Sequence, residues 1–122
     1  MFLSAKSFAD LEGKALLCKW KDSTVVGYIF RDYYEYQKYW ILHKNDTYSV
    51  KLTGLSKYKL NPEEITLTGI YINRKTLRMF DVLGYDKGQC ELTEYKTIRD
   101  KIVEHKNKLQ EEYNKKLEGN KI

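Results

Sequence analysis

The chain has 122 residues, of which 42% are hydrophobic and 32% charged. This size and balance fit one folded domain and exclude a disordered chain. They also exclude a membrane-spanning helix, because no apolar run approaches the roughly 18 residues that one needs. Lys and Arg outnumber Asp and Glu by 22 to 17, and the net charge of +5 is mostly lysine, so charge alone does not indicate a nucleic-acid partner.

The N-terminus and the cysteines indicate where the protein works. Residues 1–10 lack the basic stretch and apolar run of a secretory signal. Cys18 and Cys90 are the two cysteines, too few for a disulfide framework, and we expect two buried free thiols. These features favour a cytoplasmic protein.

The first half of the chain predicts a short helix and then strands. Ser4–Leu11 has helix-capping serines and a closing glycine, Gly13. The aromatic run Tyr33–Leu42 predicts a strand, or a hairpin tip that continues into one, and Asn45-Asp46 predicts the next turn. The strands expected from alternating or β-branched residues are 16–20, 25–31, 40–44 and 47–52.

The second half predicts a further hairpin and a long helix. A short strand is expected at Ser56–Leu60, and Asn61-Pro62-Glu63-Glu64 predicts one helical turn. Ile65–Ile72 and Thr76–Leu83 then read as the two strands of a hairpin. Gly84 and Gly88 bracket a predicted polar loop.

From Thr93 the apolar period changes from 2 to 3.6, which predicts an amphipathic helix over about 93–118 with Thr93 as N-cap and Gly119 at its end. Such a helix is too long to lie fully on a small barrel. We therefore expect part of it to project or to pack against a second copy of the chain. The residues on its apolar face are Tyr95, Ile98, Ile102, Leu109, Tyr113 and Leu117.

These elements predict a single domain, 1–122, mainly β with α. Its body is a small antiparallel barrel of five or six strands over about 12–84, followed by the C-terminal helix.

Signatures of catalysis are missing from the sequence. It contains no nucleophile elbow, phosphate-binding loop, zinc-protease motif or dinucleotide fingerprint. His43 and His105 are the two histidines, and neither has metal-ligand spacing to a cysteine. We therefore predict a protein that is not an enzyme and has no metal or other cofactor.

Tyrosine is the most distinctive component, with 11 residues in the chain. Neighbouring side chains on a strand point to opposite faces, so the aromatic run at 33–40 cannot be wholly buried. Basic residues interleaved with tyrosines attract phosphate and stack on bases, although core aromatics and polar turns would show the same residues. The predicted ligand-binding residues are Lys57, Tyr58, Lys59, Tyr71, Arg74, Lys75 and Arg78.

Residues 8–42 contain a predicted short leading helix, Gly13 before the first strand, the Lys21-Asp22 turn, Gly27 in the second strand and Asp32 after it. In these features the segment resembles the first half of an Sm-like or SH3-like small barrel. This resemblance implies a barrel fold and a tendency to form oligomers. It does not imply RNA binding, because Tyr33-Tyr34-Glu35-Tyr36 stands where RNA-binding relatives typically carry an asparagine.

The sequence thus predicts a non-catalytic protein that binds or sequesters an anionic ligand, either a nucleotide or a nucleic acid. The alternative is a protein-protein inhibitor of the phage anti-defence or bacterial immunity type, and an uncharacterised enzyme ranks third. We expect no membrane partner and a homo-oligomer assembled through the C-terminal helix.

Overall fold

A computed structural model describes residues 11–120, which form one antiparallel sheet followed by a helix. The chain is therefore mainly β with a C-terminal helix, as predicted. The elements are β1 Lys14–Trp20, β2 Val25–Arg31, β3 Glu35–Lys44, β4 Thr47–Leu52, β5 Ser56–Lys57, β6 Lys59–Leu60, β7 Glu64–Leu67, β8 Ile70–Asn73, β9 Arg78–Asp81, β10 Asp86–Glu94 and α1 Tyr95–Gly119.

The strands of residues 11–120 are joined in the order β4-β3-β2-β1-β10-β9-β8-β7-β6. Strand β5 pairs with β3, whereas β6 pairs with β7. Because only Tyr58 separates β5 from β6, this short segment links two distant parts of the sheet. The sheet is consequently a curled half-barrel, with ten strands in this part of the chain where five or six were predicted.

The concave face of the sheet holds the main core. Along β7 and β8, for example, alternate residues point inward and are buried. Burying a large apolar side chain contributes roughly 1.5–3 kcal/mol, so this face is the main source of stability. The buried residues of this cluster are Leu11, Leu16, Cys18, Val26, Tyr28, Phe30, Tyr36, Tyr58, Ile65, Leu67, Ile70, Ile72, Met79 and Cys90.

A disulfide joins Cys18 to Cys90, so the prediction of two free thiols is wrong. The two residues face each other in the register of β1 and β10, and both are buried. Their separation of 72 residues hid the pairing, because only the strand register brings them together. The crosslink therefore ties the two central strands of the sheet.

The prediction of a polar loop between Gly84 and Gly88 is wrong at Gly88, which lies within β10. The register of β10 against β9 shifts between Asp86 and Gly88, which marks a bulge. A side chain at Gly88 would collide with the carbonyl oxygen of Lys19 on β1. Glycine is therefore required where the two backbones approach each other.

Helix α1 starts where β10 ends and crosses the convex face of the sheet over β1, β2, β3 and β4. Its own residues Ile98 and Ile102 are fully buried against the sheet. Gly27 permits this close approach, because a Cβ there would lie only 2.8 Å from Cγ1 of Ile98. Ala15 and Ile29 complete the contact with Ile98.

The far part of α1 is fastened to the β3–β4 hairpin. Gln110 Nε2 donates to the carbonyl oxygen of Asp46 at 2.9 Å, and Gln110 Oε1 accepts from the backbone N–H of Tyr48 at 2.8 Å. Tyr113 Oη donates to Asp46 Oδ1 at 2.9 Å. The helix therefore stays on the sheet as far as Tyr113, whereas residues 114–119 beyond it are exposed, and self-association through α1 stays a prediction. Leu117 beyond it is 42% exposed.

Two other elements differ from their predictions because of local turns. Ile65–Ile72 is not one strand, because the chain reverses at Gly69, whose φ is +79°. The first half belongs to β7 and the second to β8, which pair with each other. Before β7, Asn61 Oδ1 accepts the backbone N–H groups of Glu63 and Glu64, both at 2.8 Å, so a side-chain turn replaces the predicted helical turn.

The helix boundaries are close to those predicted, but the predicted N-cap residue is wrong. Thr93 lies in β10, and the N-cap is Glu94, which makes no side-chain capping bond. The aromatic run at 33–42 begins as a hairpin tip, with Tyr33 and Tyr34 at φ of 59° and 57°, and continues as β3. The predicted helix Ser4–Leu11 lies, apart from Leu11, outside the described residues.

Candidate anion-binding pocket

The predicted ligand-binding residues do not form one surface, and Tyr58 is in the core. Its exposed fraction is 3%. Its ring lies edge-on to Phe30, with centroids 5.1 Å apart, and is tilted against Tyr34 at 5.6 Å. Tyr58 therefore stabilises the junction of β5 and β6, and its ring is not presented to a base.

Lys57 lies at the edge of the sheet on β5. Its Nζ forms an ion pair with Glu35 at 3.6 Å and donates to the carbonyl oxygen of Tyr33 at 3.3 Å. The paired strand β3 supplies that carboxylate directly opposite. The positive charge of Lys57 is thus compensated by the carboxylate of Glu35 in the same sheet.

Three of the predicted residues, Lys59, Tyr71 and Arg78, lie on the convex face of the β6–β9 half. Successive register partners form a row across four strand pairs, so their side chains share that face. Tyr71 and Phe80 are half-buried neighbours in this row. The residues of the row are Lys59, Thr66, Tyr71, Phe80 and Asp86.

Arg78 belongs to the same face, and its charge is balanced by Asp86. Its Nε and Nη2 donate to the two carboxylate oxygens of Asp86 at 2.6 and 2.8 Å. This hydrogen-bonded arginine lowers the pKa of Asp86. The convex face therefore carries paired charges rather than an excess of positive charge.

Arg74 and Lys75 form the β8–β9 turn. Asn73 Oδ1 holds the turn by accepting the backbone N–H groups of Lys75 and Thr76 at 2.8 and 2.9 Å. Arg74 Nη1 donates to the carbonyl oxygen of Asn61 at 2.9 Å, which directs the guanidinium toward the β6–β7 connection. The turn places two cations at one open end of the half-barrel.

That end contains a cavity of about 220 Å³, here named the basic pocket. Its apolar lining is continuous with the core, and Leu92 at its mouth is 57% exposed. All the ionisable side chains in its described lining are cationic. The lining residues are Leu11, Lys14, Leu16, Ile65, Arg74, Lys75, Leu77 and Leu92.

Register brings these distant residues together. Leu16 on β1 faces Leu92 on β10. Leu77 just precedes β9, with φ of 60°, and its carbonyl oxygen accepts the backbone N–H of Cys90 at 2.8 Å. Alternation alone identifies Leu16 and Ile65 as inward-facing, but the sequence does not show which strand ends remain open. Lys14, Leu77 and Leu92 were therefore missed.

The pocket offers positive charge and apolar surface. Its described lining contains no histidine, cysteine, hydroxyl or carboxylate side chain that could act as an acid, base or nucleophile. Within residues 11–120, no group of three or more His, Cys, Asp or Glu side chains is placed to hold a metal ion. The chemistry present suits recognition of an anion that has an apolar part.

Comparison of the chain with family models, curated proteins and solved structures found no match. In residues 11–120, no helix has both the length and the apolar character required to cross a membrane.

Proposed function

We propose that this protein binds an anionic ligand of the nucleotide class in the basic pocket and does not transform it. The observation that carries the proposal is the lining of the cavity, which joins three cations to an apolar floor. Lys14, Arg74 and Lys75 attract a phosphate, and the leucines receive a base or another apolar group.

The size of the cavity favours a small ligand. Its volume of about 220 Å³ is below the roughly 300 Å³ at which pockets for drug-sized ligands begin, so it holds one part of a nucleotide. A nucleic-acid strand would also need the convex face beside it. There Arg78 is already paired with Asp86, which reduces the attraction for a polyanion.

The test is calorimetric titration with AMP, ADP, ATP and GTP at low and high salt. Charge reversal of Arg74 and Lys75 to Glu should weaken binding at least about tenfold at low salt and less at high salt, because salt screens the phosphate contacts. Lys115→Glu with Lys116→Glu, at the exposed end of α1, is the matched control. Equal affinity of both double variants for every nucleotide, or no binding by the wild type, contradicts the proposal.

A second candidate is the protein-protein inhibitor, supported by the β9–β10 turn. Val82, Leu83 and Tyr85 are 66%, 77% and 66% exposed. Asp81 makes this tip rigid, because its Oδ1 accepts the backbone N–H groups of Leu83 and Tyr85 at 2.9 and 3.0 Å. A preordered apolar tip loses little entropy on docking into a partner's pocket.

Capture of a partner from lysate distinguishes this candidate. A partner retained by the wild type and by the Arg74/Lys75 double variant, but lost with Leu83→Asp, favours the inhibitor. Membership of the Sm-like or SH3-like barrels, homo-oligomers and a cytoplasmic location remain predictions. The disulfide removes the argument that free thiols gave for a cytoplasmic location, because disulfides are uncommon in the cytosol.

A further inference from the structure

A groove runs along one flank of α1, away from the basic pocket. Two cavities of about 300 Å³ each share Leu17, Val25 and Glu91. A third, of about 270 Å³, shares Val25 and His105 with the first. We name this continuous depression the helix-flank groove.

The groove exists because α1 crosses the sheet obliquely. Its buried residue Ile98 packs against Gly27 and Ala15 in the middle of the convex face. Leu17 and Lys19 lie further along β1 on the same face, opposite Gly27 and Val25 of β2. Leu17 and Val25 are only half-buried, and they form an apolar floor beside the helix.

Three nitrogen-bearing side chains border this floor: His105 and Lys108 line the first cavity, and Lys19 lines the second. His105 projects from α1, and its pKa is lowered first by desolvation and then by the positive charges of Lys108 and Lys19. It is therefore mostly neutral at pH 7 and offers one hydrogen-bond donor and one acceptor. Both lysines act on His105 electrostatically, Lys108 from the helix and Lys19 from the sheet, so two positive charges lie on the side of the imidazole.

These two lysines lack the compensation found elsewhere on the groove. Lys101 pairs with Glu91 at 3.8 Å. Neither Lys19 nor Lys108 takes part in an ion pair within residues 11–120. Glu91 and Glu104 also line the groove and repel a ligand with several negative charges. The electrostatics consequently favour a single negative charge over a polyphosphate.

We propose that the helix-flank groove binds a small organic monoanion, with its apolar body on Leu17 and Val25 and its carboxylate among Lys19, His105 and Lys108. This site is separate from the basic pocket and takes a different class of ligand. The titratable groups that face His105 or the groove from α1 and the sheet are Lys19, Asp22, Glu91, Lys101, Glu104, Lys108 and Glu112.

The experiment is titration of the full chain with 1-naphthoate, followed by the NMR signals of the two imidazole rings. The His105 signal should shift saturably and its pKa should rise, because a bound carboxylate favours the protonated ring. The His43 signal should shift less than that of His105, because the ring of His43 meets the groove only through Tyr48, on which it stacks with centroids 4.1 Å apart.

Variants separate the groove from other sites. Lys19→Ala with Lys108→Ala should weaken naphthoate binding about tenfold, the effect of two exposed charge contacts. Lys115→Ala with Lys116→Ala is the matched control and should bind as the wild type does. The neutral analogue 1-naphthalenemethanol should bind about tenfold more weakly than naphthoate.

Three outcomes overturn the inference. They are no saturable shift of His105 at millimolar naphthoate, unchanged affinity in the folded Lys19/Lys108 variant, and loss of binding in the Arg74/Lys75 charge-reversal variant instead. The last outcome would move naphthoate to the basic pocket. Failure of nucleotides to bind leaves this experiment unaffected, because the two sites share no residue.

Discussion

The two halves of the curled sheet share one apolar core but have different convex faces. Over β1–β4 the outward residues include Ala15 and Gly27, and α1 lies directly on them. Over β6–β9 the outward residues include Tyr71 and Phe80. Small residues let a helix approach closely and bury its isoleucines, whereas large aromatic and polar residues cover their own strands.

This difference separates the docking of α1 from the proposed nucleotide site. The half under α1, β1–β4, is here named the covered half. It packs against Ile98 and Ile102 of the helix, and the disulfide ties its border strand β1 to β10. The half without the helix, β6–β9, is here named the open half. It contributes Arg74 and Lys75 to the basic pocket from a turn, and β1 contributes Lys14 and Leu16. Binding residues placed on a turn of a rigid scaffold can meet a ligand without disturbing the core.

The disulfide joins the two halves, so its loss should have the largest effect on stability. By chain entropy, a crosslink spanning 72 residues contributes about 4 kcal/mol to the free energy of unfolding. Denaturant unfolding of the Cys18→Ala, Cys90→Ala double variant should therefore show a much lower midpoint than the oxidised wild type. Reduced wild type is the control and should resemble the variant. An unchanged midpoint in both would show that the crosslink is absent or without effect.

The parts of the fold that could be predicted from the sequence are those with a local signal. Alternation and turn residues located β1, β2 and β4, and the apolar period located α1, because these are local signals. The pairing of Cys18 with Cys90 depends on register over a long separation, and β10 itself is interrupted by a bulge. The residues of the basic pocket come from strand ends that only the fold brings together. Arg74 and Lys75 were predicted because a basic turn is visible locally, whereas Lys14 and Leu77 were not.

Within the covered half, Ile102→Ala should lower the free energy of unfolding by about 2–5 kcal/mol, because it leaves a cavity at a fully buried position. Leu117→Ala is the matched control on the same helix, and it should cost less than about 1 kcal/mol because Leu117 is substantially exposed. Chemical denaturation monitored by circular dichroism measures both. Equal costs at the two positions would contradict the docking of α1 on the sheet.

The close approach of helix and sheet can be tested at glycine. Gly27→Ala should cost about 1–3 kcal/mol, because the new Cβ would lie 2.8 Å from Cγ1 of the buried Ile98. Gly54→Ala introduces the same methyl group into open space and should be nearly neutral. Thermal unfolding of the two variants compares them directly. A neutral Gly27→Ala variant would mean that α1 lies further from the sheet.

The smallest effect is expected in the open half, at the Arg78–Asp86 ion pair. The hydrogen bonds from Arg78 lower the pKa of Asp86 below the ordinary value of 3.8. The pair therefore contributes its stability above that pH, and the contribution is lost as the pH falls through the lowered pKa. Asp86→Asn should remove this part of the pH dependence, so its cost should shrink toward the acid end of the profile. An identical pH profile for variant and wild type in acid unfolding would show that the pair contributes nothing.

The central claim is that the open end of the half-barrel is the nucleotide site, and amide chemical-shift mapping with AMP tests it most directly. The proposal predicts saturable shifts at the backbone amides of Lys75, Leu77 and Leu92, which lie around the basic pocket. The amides of Gly27 and Ile98, where the sheet and α1 meet, should not move. The largest shifts beneath α1, or no shift at Lys75 and Leu77 at any concentration of AMP, would contradict the proposal.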